Sequence, residues 1–179
     1  MPIPPTFGPV EPTISHSIDV AAEPGVVWAL VSDLPRMGRF SPENLGGRWL
    51  HGATGPAVGV ELRGFNHNGA KRWSTTARIV ACEPGRLLTF DVRSPLLVRV
   101  SRWSYVITPT RHGCVLTENW YRVGNRFVRR FLGPRVTGRQ DRPGYNAESI
   151  KHTLAAVKAH AESIGDAGPE SRTSPTNAP

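Results

Sequence analysis

The residues of this chain best suited to chemistry are Glu118, Asn119, Tyr105 and Tyr121, in segments that also carry Trp103 and Trp120, with Trp73 in another such segment. A carboxyl group walled in by indole rings loses the hydration its charged form depends on. Its pKa then rises toward neutrality, and it can give or take a proton. Proton transfer on a carbonyl compound also needs a group to hold the oxygen, a task for a tyrosine hydroxyl or the Asn119 amide. Glu118 and Tyr105 are therefore the candidate catalytic pair. The plainer alternative turns Glu118 outward to pair with Arg102 or Arg122 on the surface.

Other reactive constellations are missing from the sequence. There is no G-x-S-x-G elbow, no glycine-rich phosphate loop before a helix, and no H-E-x-x-H or C-x-x-C spacing. The six histidines are scattered, and His152 and His160 are too far apart on one helix to share a metal. No metal and no cofactor are expected. His16 differs because strand alternation turns it inward with Ile14 and Ile18, either as a hydrogen-bonded core histidine or as a polar group of a cavity. Cys82 and Cys114 fall in separate strands and read as packing residues.

These side chains depend on the elements that carry them. Ile14–Val20 alternates apolar and polar with period two, the mark of a half-buried strand. Pro24 suits the first position of a helix whose buried stripe is Val27, Leu30, Val31 and Leu34. Asp33 stands ready to cap a second short helix reaching about Phe40. Asn68-Gly69 is a strong two-residue hairpin signal. Centring the turn there pairs Val60 with Ala77, Leu62 with Thr75 and Gly64 with Trp73. Glu83-Pro84-Gly85-Arg86 is a further turn, pairing Ala77 with Val92, Ile79 with Phe90 and Ala81 with Leu88. One apolar face then crosses three strands.

Strands over about 101–108 and 114–123 are joined by Pro109-Thr110-Arg111-His112-Gly113, a loop that permits more than one register. Either Glu118 or Asn119 then joins the face of Trp103, Tyr105 and Ile107, because a slip of one residue exchanges them. Finally, Ala147, Ile150, Leu154, Val157, Ala161 and Ile164 recur at helical spacing. A helix over about 146–163 would be roughly 27 Å long and would cross a seven-stranded sheet.

Length and composition fit one soluble domain with tails: 179 residues, 39% hydrophobic and 20% charged. Proline-rich residues 1–12 read as a flexible arm without the marks of a signal peptide, and 165–179 as a disordered tail. The domain is then 13–164, with the cytoplasm as its default compartment. The net charge of +8 is concentrated between Tyr121 and Tyr145, where seven arginines face Asp141 alone. Phe127, Val128, Phe131 and Leu132 interleave with them. Arg126, Arg129 and Arg130 are therefore candidates for docking on an anionic membrane surface or an acidic partner, the alternative being a solvated arginine face. Without any nucleic-acid-reading motif, a nucleic-acid partner is not expected.

Several segments carry a resemblance: Ile18 to Trp28, Trp73 to Ala77, Cys82 to Phe90, and Trp103-Ser104-Tyr105. They resemble the SRPBCC (START-like, polyketide cyclase/dehydrase) superfamily over residues 13–162. Thr137 to Arg142 and Thr153 to Lys158 look like an actinobacterial branch of it. One departure is Phe40-Ser41-Pro42, where many relatives place a tryptophan before the proline. The resemblance implies an α+β helix-grip fold, a seven-stranded curved antiparallel sheet around a long C-terminal helix, with two short helices after the first strand. It also implies a hydrophobic cavity between sheet and helix. Members range from lipid carriers to cyclases and dehydratases, so the implied partner is a hydrophobic small molecule, lipid- or polyketide-like, carried or converted. The cavity residues expected on this basis are His16, Leu62, Trp73, Thr75, Phe90, Trp103, Tyr105, Asn119, Tyr121, Tyr145 and Ser149.

Overall fold

The structure is a computed structural model and describes residues 11–95, 98–123 and 133–166. Strand β1 (Ile14–Val20) leads to α1 (Pro24–Ser32) and a 3₁₀ helix (Leu34–Arg39). Six strands follow: β2 (Asn44–Trp49), β3 (Glu61–Asn68), β4 (Lys71–Glu83), β5 (Leu87–Arg93), β6 (Arg99–Thr110) and β7 (Gly113–Arg122). A short α2 (Gly133–Thr137) and the long α3 (Arg142–Asp166) follow. Among the described residues the strands form one antiparallel sheet in the order β1-β7-β6-β5-β4-β3-β2, curved around α3. This is the helix-grip fold.

Strand β2 is a glycine-bearing strand that periodicity alone does not reveal. Its Gly46 and Gly47 are both needed for close approach. A Cβ at Gly47 would press on the Arg63 carbonyl, and Gly46 adopts φ +96° against the Pro35 carbonyl. The glycines let β2 pack tightly between β3 and the 3₁₀ helix.

Two hairpin registers differ from expectation. In the β3–β4 hairpin, Leu62 pairs with Ala77, Gly64 with Thr75 and Asn66 with Trp73, two residues from the predicted pairing. The turn is Gly69-Ala70, with Gly69 at φ +56°. Asn68 stays in its strand because its Nδ2 donates to the Thr137 carbonyl (2.8 Å), while Lys71 Nζ donates to the Arg135 carbonyl (2.5 Å). Tertiary bonds to α2 thus override the local turn preference. An even shift leaves every side chain on its predicted face. In β4–β5, Ala77–Val92 and Ile79–Phe90 pair as predicted, but Ala81 meets Thr89 rather than Leu88. A bulge between Ile79 and Ala81 inserts the extra residue.

Asp33 occupies the residue before the 3₁₀ helix without capping it; its carboxylate pairs with Arg36 instead (2.9 Å). Helix α3 is longer than periodicity predicts, 25 residues or about 37 Å. It starts at Arg142 because Pro143 is tolerated in a first turn, and Asp141 Oδ1 accepts the Gly144 N–H (3.0 Å). Ile150, Leu154, Val157 and Ala161 are buried as expected, whereas Ile164 near the helix end is 46% exposed. Lys158 fixes this end of the helix to β1, donating to the Asp19 carbonyl (2.6 Å) and to Glu162 (2.7 Å). Glu162 in turn accepts the Ala21 N–H (2.8 Å). Both cysteines are free.

Candidate functional site: an aromatic cavity with a buried acid

Between the inner face of the sheet and the first half of α3 lies a cavity of about 540 Å³, within the range of small-molecule sites. The register of β6 and β7 decides what stands in its wall. The strands run to Thr110 and Gly113, so the turn is the tight Arg111-His112 pair rather than a five-residue loop. Gly113, at φ +142°, lies against the Val20 carbonyl where a Cβ would collide. Trp103 therefore faces Trp120 and Tyr105 faces Glu118. Glu118 points into the cavity and Asn119 to the opposite face of the sheet, which resolves the two readings left open by the sequence. The outward pairing of Glu118 with arginine does not form. Arg102 is held by Asp91 through bonds of 2.7 and 3.2 Å.

Glu118 is 3% exposed and Tyr105 5%. The Tyr105 hydroxyl donates to Glu118 Oε1 at 3.0 Å, while Oε2 is buried without a hydrogen-bond partner among the described residues. Loss of hydration pushes the Glu118 carboxyl up to about 8, against the opposing pull of the Tyr105 hydrogen bond. Burial, reinforced by the neighbouring Glu118, drives the Tyr105 phenol well above its ordinary value. At neutral pH the pair is thus uncharged. Its free oxygen can donate a proton to a guest, or accept one once ionised. Phe90 packs near Tyr105 with ring centroids 6.5 Å apart, and Trp103 near Trp120 at 6.4 Å.

Of the residues expected at the cavity, Leu62, Trp73, Thr75 and Phe90 line it from β3, β4 and β5. Trp103, Tyr105 and Glu118 line it from β6 and β7, and Ser149 from α3. Four others lie elsewhere. His16 pairs in register with Glu118 but sits beneath α3, near Glu148, because β1 is the strand the helix covers. Asn119 donates from Nδ2 to Ser104 Oγ (3.1 Å) on the far face, and Tyr121 follows it there by alternation. The Tyr145 ring is stacked beneath Arg139, whose guanidinium carbon is 3.3 Å from the ring centroid. Arg126, Arg129 and Arg130 lie outside the described residues.

Among the lining residues that escaped the sequence reading are Glu43, Arg139, Arg142, Asn146 and Thr153. Asn146 and Thr153 had a visible signal, since they are polar positions, like the expected Ser149, on the same helical stripe as Ile150 and Leu154. Glu43 had none, because nothing local tells that a lone acid before β2 meets arginines about a hundred residues away. It is bound by Arg142 through two 2.6 Å bonds, one on each oxygen, and Arg139 Nε lies 3.7 Å away. The described residues contain no cluster of three or more potential metal ligands. None of their helices is long and apolar enough to cross a membrane.

A curved sheet gripping a helix around an aromatic chamber defines a protein that binds a hydrophobic small molecule in its interior. The family described as polyketide cyclase / dehydrase and lipid transport matches residues 11–162, and the chain belongs to it. The di-domain ARO/CYC StfQ from the steffimycin biosynthetic pathway superposes with a TM-score of 0.68 at 17% identity. That match covers 86% of this chain and 51% of StfQ, so the chain spans about half the length of that di-domain protein. The solution structure of the polyketide-cyclase-like protein Cgl2372 from Corynebacterium glutamicum is similar at 28% identity and a TM-score of 0.60. There 88% of this chain and 96% of the other are covered. The di-domain ARO/CYC BexL from the BE-7585A biosynthetic pathway gives a TM-score of 0.62 at 17% identity, over 83% of this chain and 49% of BexL. No curated protein matches the chain.

Proposed function

We propose that this protein carries a lipid- or polyketide-like molecule, holding its apolar body among the cavity aromatics. The observation behind this reading is the chamber itself, walled by Trp73, Phe90, Trp103 and Trp120 and bounded on one side by α3. Burying about 300 Å² of apolar guest surface supplies about 7 kcal/mol at roughly 25 cal/mol per Å². Lost tumbling and ordering remove several kcal/mol, which leaves affinity of about millimolar unless polar groups add to it. Native mass spectrometry of freshly purified protein tests the reading, because a retained guest reports its own mass. The proposal fails if the protein emerges empty and also ignores a neutral probe such as N-phenylnaphthylamine.

A second reading, cyclase or dehydratase activity, is favoured by the buried acid. On a β-hydroxy ketone, protonated Glu118 would deliver its Oε2 proton to the departing hydroxyl. The resulting carboxylate would take the proton from the α-carbon, so that a C–O bond breaks, a C=C bond forms and water leaves. Tyr105 would hold Oε1 throughout. Glu118→Gln separates the readings: a carrier keeps its function, whereas an enzyme keeps guest binding and loses turnover of a polyketide-type substrate.

A further inference from the structure

The described residues contain three buried side-chain nitrogen or oxygen atoms without a hydrogen-bond partner: Glu118 Oε2, Arg139 Nε and Asn146 Nδ2. All three belong to residues that line the same cavity. Such atoms are rare in folded proteins, and each costs on the order of 1–3 kcal/mol when left unpaired, more if charged. Their coincidence marks a built polar site. Two of the three flank the start of α3, Arg139 three residues before it and Asn146 in its second turn.

We propose that the cavity takes an acidic amphiphile, an apolar body carrying a carboxylate, with the carboxylate seated at Arg139 and Asn146. The proposal rests on the hydrophobic-guest reading and names the chemistry of that guest's polar end. Charge balance in the wall is the first support. Arg122, Arg139 and Arg142 line it against Glu43 and Glu118, and Glu118 is neutral at pH 7. Glu43 is thus the one acid other than Glu118 among the lining residues described, and it is held by Arg142 with Arg139 close by.

Geometry is the second support. Glu43 spends both oxygens on Arg142, and the Arg139 Nε–H, at 3.7 Å, is left without a bond. The Tyr145 ring fixes the Arg139 plane from below, so this donor is oriented before any guest arrives. Asn146, 2% exposed, adds a second donor one turn into the helix. Asp141 also stands at this end, but it is exposed, accepts the Gly144 N–H and is not in the wall. The Glu43 carboxylate shows that a carboxylate fits this pair of arginines, and a guest's carboxylate would complete the bonding of the second one.

Displacement of N-phenylnaphthylamine by decanoate and by decanol at pH 7 tests this. The expected result is that decanoate acts at about tenfold lower concentration, the ratio of one good charge-assisted hydrogen bond. Arg139→Gln should weaken decanoate about tenfold more than decanol, and Arg139→Lys should restore part of the preference. Equal potency of the two probes in the wild-type chain overturns the proposal without any variant. So does a preference that survives in a folded Arg139→Gln chain. If N-phenylnaphthylamine binds but neither probe displaces it, the acidic-amphiphile proposal alone falls. Failure of N-phenylnaphthylamine itself to bind removes the hydrophobic-guest reading as well.

Discussion

The two halves of α3 share one inward stripe and use it in opposite ways. Toward the C-terminus, Leu154, Val157 and Ala161 are buried against β1, β7 and α1, and the helix is sealed to β1 by Lys158 and Glu162. Toward the N-terminus the stripe turns polar, with Asn146, Ser149 and Thr153 facing the cavity beside Arg139 and Arg142. The packed half supplies stability. The hollow half forgoes that contribution and offers unpaired donors instead. A fold that needs a chamber can divide one helix this way, because packing is local and each turn answers only to what lies opposite it.

The largest effect expected from this contrast belongs to Glu118 in the cavity wall. Its carboxyl titrates near 8 when folded and near 4.5 when unfolded. Between those values the folded chain holds a proton that the unfolded chain has released. Stability should therefore fall as pH rises through this window and level off above it, by about 5 kcal/mol in all, of which about 4 kcal/mol falls between pH 5 and pH 9. Urea denaturation at pH 5 and pH 9 measures the drop. Glu118→Gln should abolish it and be the more stable chain at pH 9. A wild-type curve flat over this range would mean that the carboxyl is hydrated, and the hollow end wetter than its aromatic wall implies.

Leu154→Ala, in the packed half, should cost about 2–5 kcal/mol through lost transfer energy and a residual void. Thermal or chemical unfolding gives the number. A cost below about 1 kcal/mol would show that the packed half is loose and would remove the contrast. At the clasp between the halves of the wall, Arg142→Gln leaves the Glu43 carboxylate 8% exposed with a weaker partner. A loss of about 1–3 kcal/mol is expected, with Glu43→Gln/Arg142→Gln milder than the sum of the singles in a double-mutant cycle. The smallest effect should come from Asn146→Leu. It removes an unsatisfied donor, so stability should change by less than about 1 kcal/mol or rise. A large loss there would mean that Asn146 is structural rather than part of the cavity's recognition surface.

Much of the fold was legible because its signals are local. The period-two alternation of Ile14–Val20, the Pro24 helix start and the Ile150–Leu154–Val157 stripe each lie within one element. The cavity face of β4 and β5 was legible too, since a two-residue error in the β3–β4 hairpin cannot turn a side chain over. What escaped notice was governed by distant partners. Asn68 and Lys71 move the turn by bonding to α2, the glycines of β2 answer to Arg63 and Pro35, and Glu43 meets Arg142 across 99 residues.

By itself, the sequence determined most of the strands and the main helices, that one sheet face is aromatic and apolar, and that Glu118 or Asn119 joins it. Only the tertiary structure decided that Glu118 rather than Asn119 enters the cavity, and that His16 lies under the helix instead of in the wall. Only it gathered Glu43, Arg139, Arg142 and Asn146 at one end. The reason is the range of the forces involved. Periodicity and turn chemistry act over a few residues, whereas strand register and buried charge pairing are fixed only when remote segments meet.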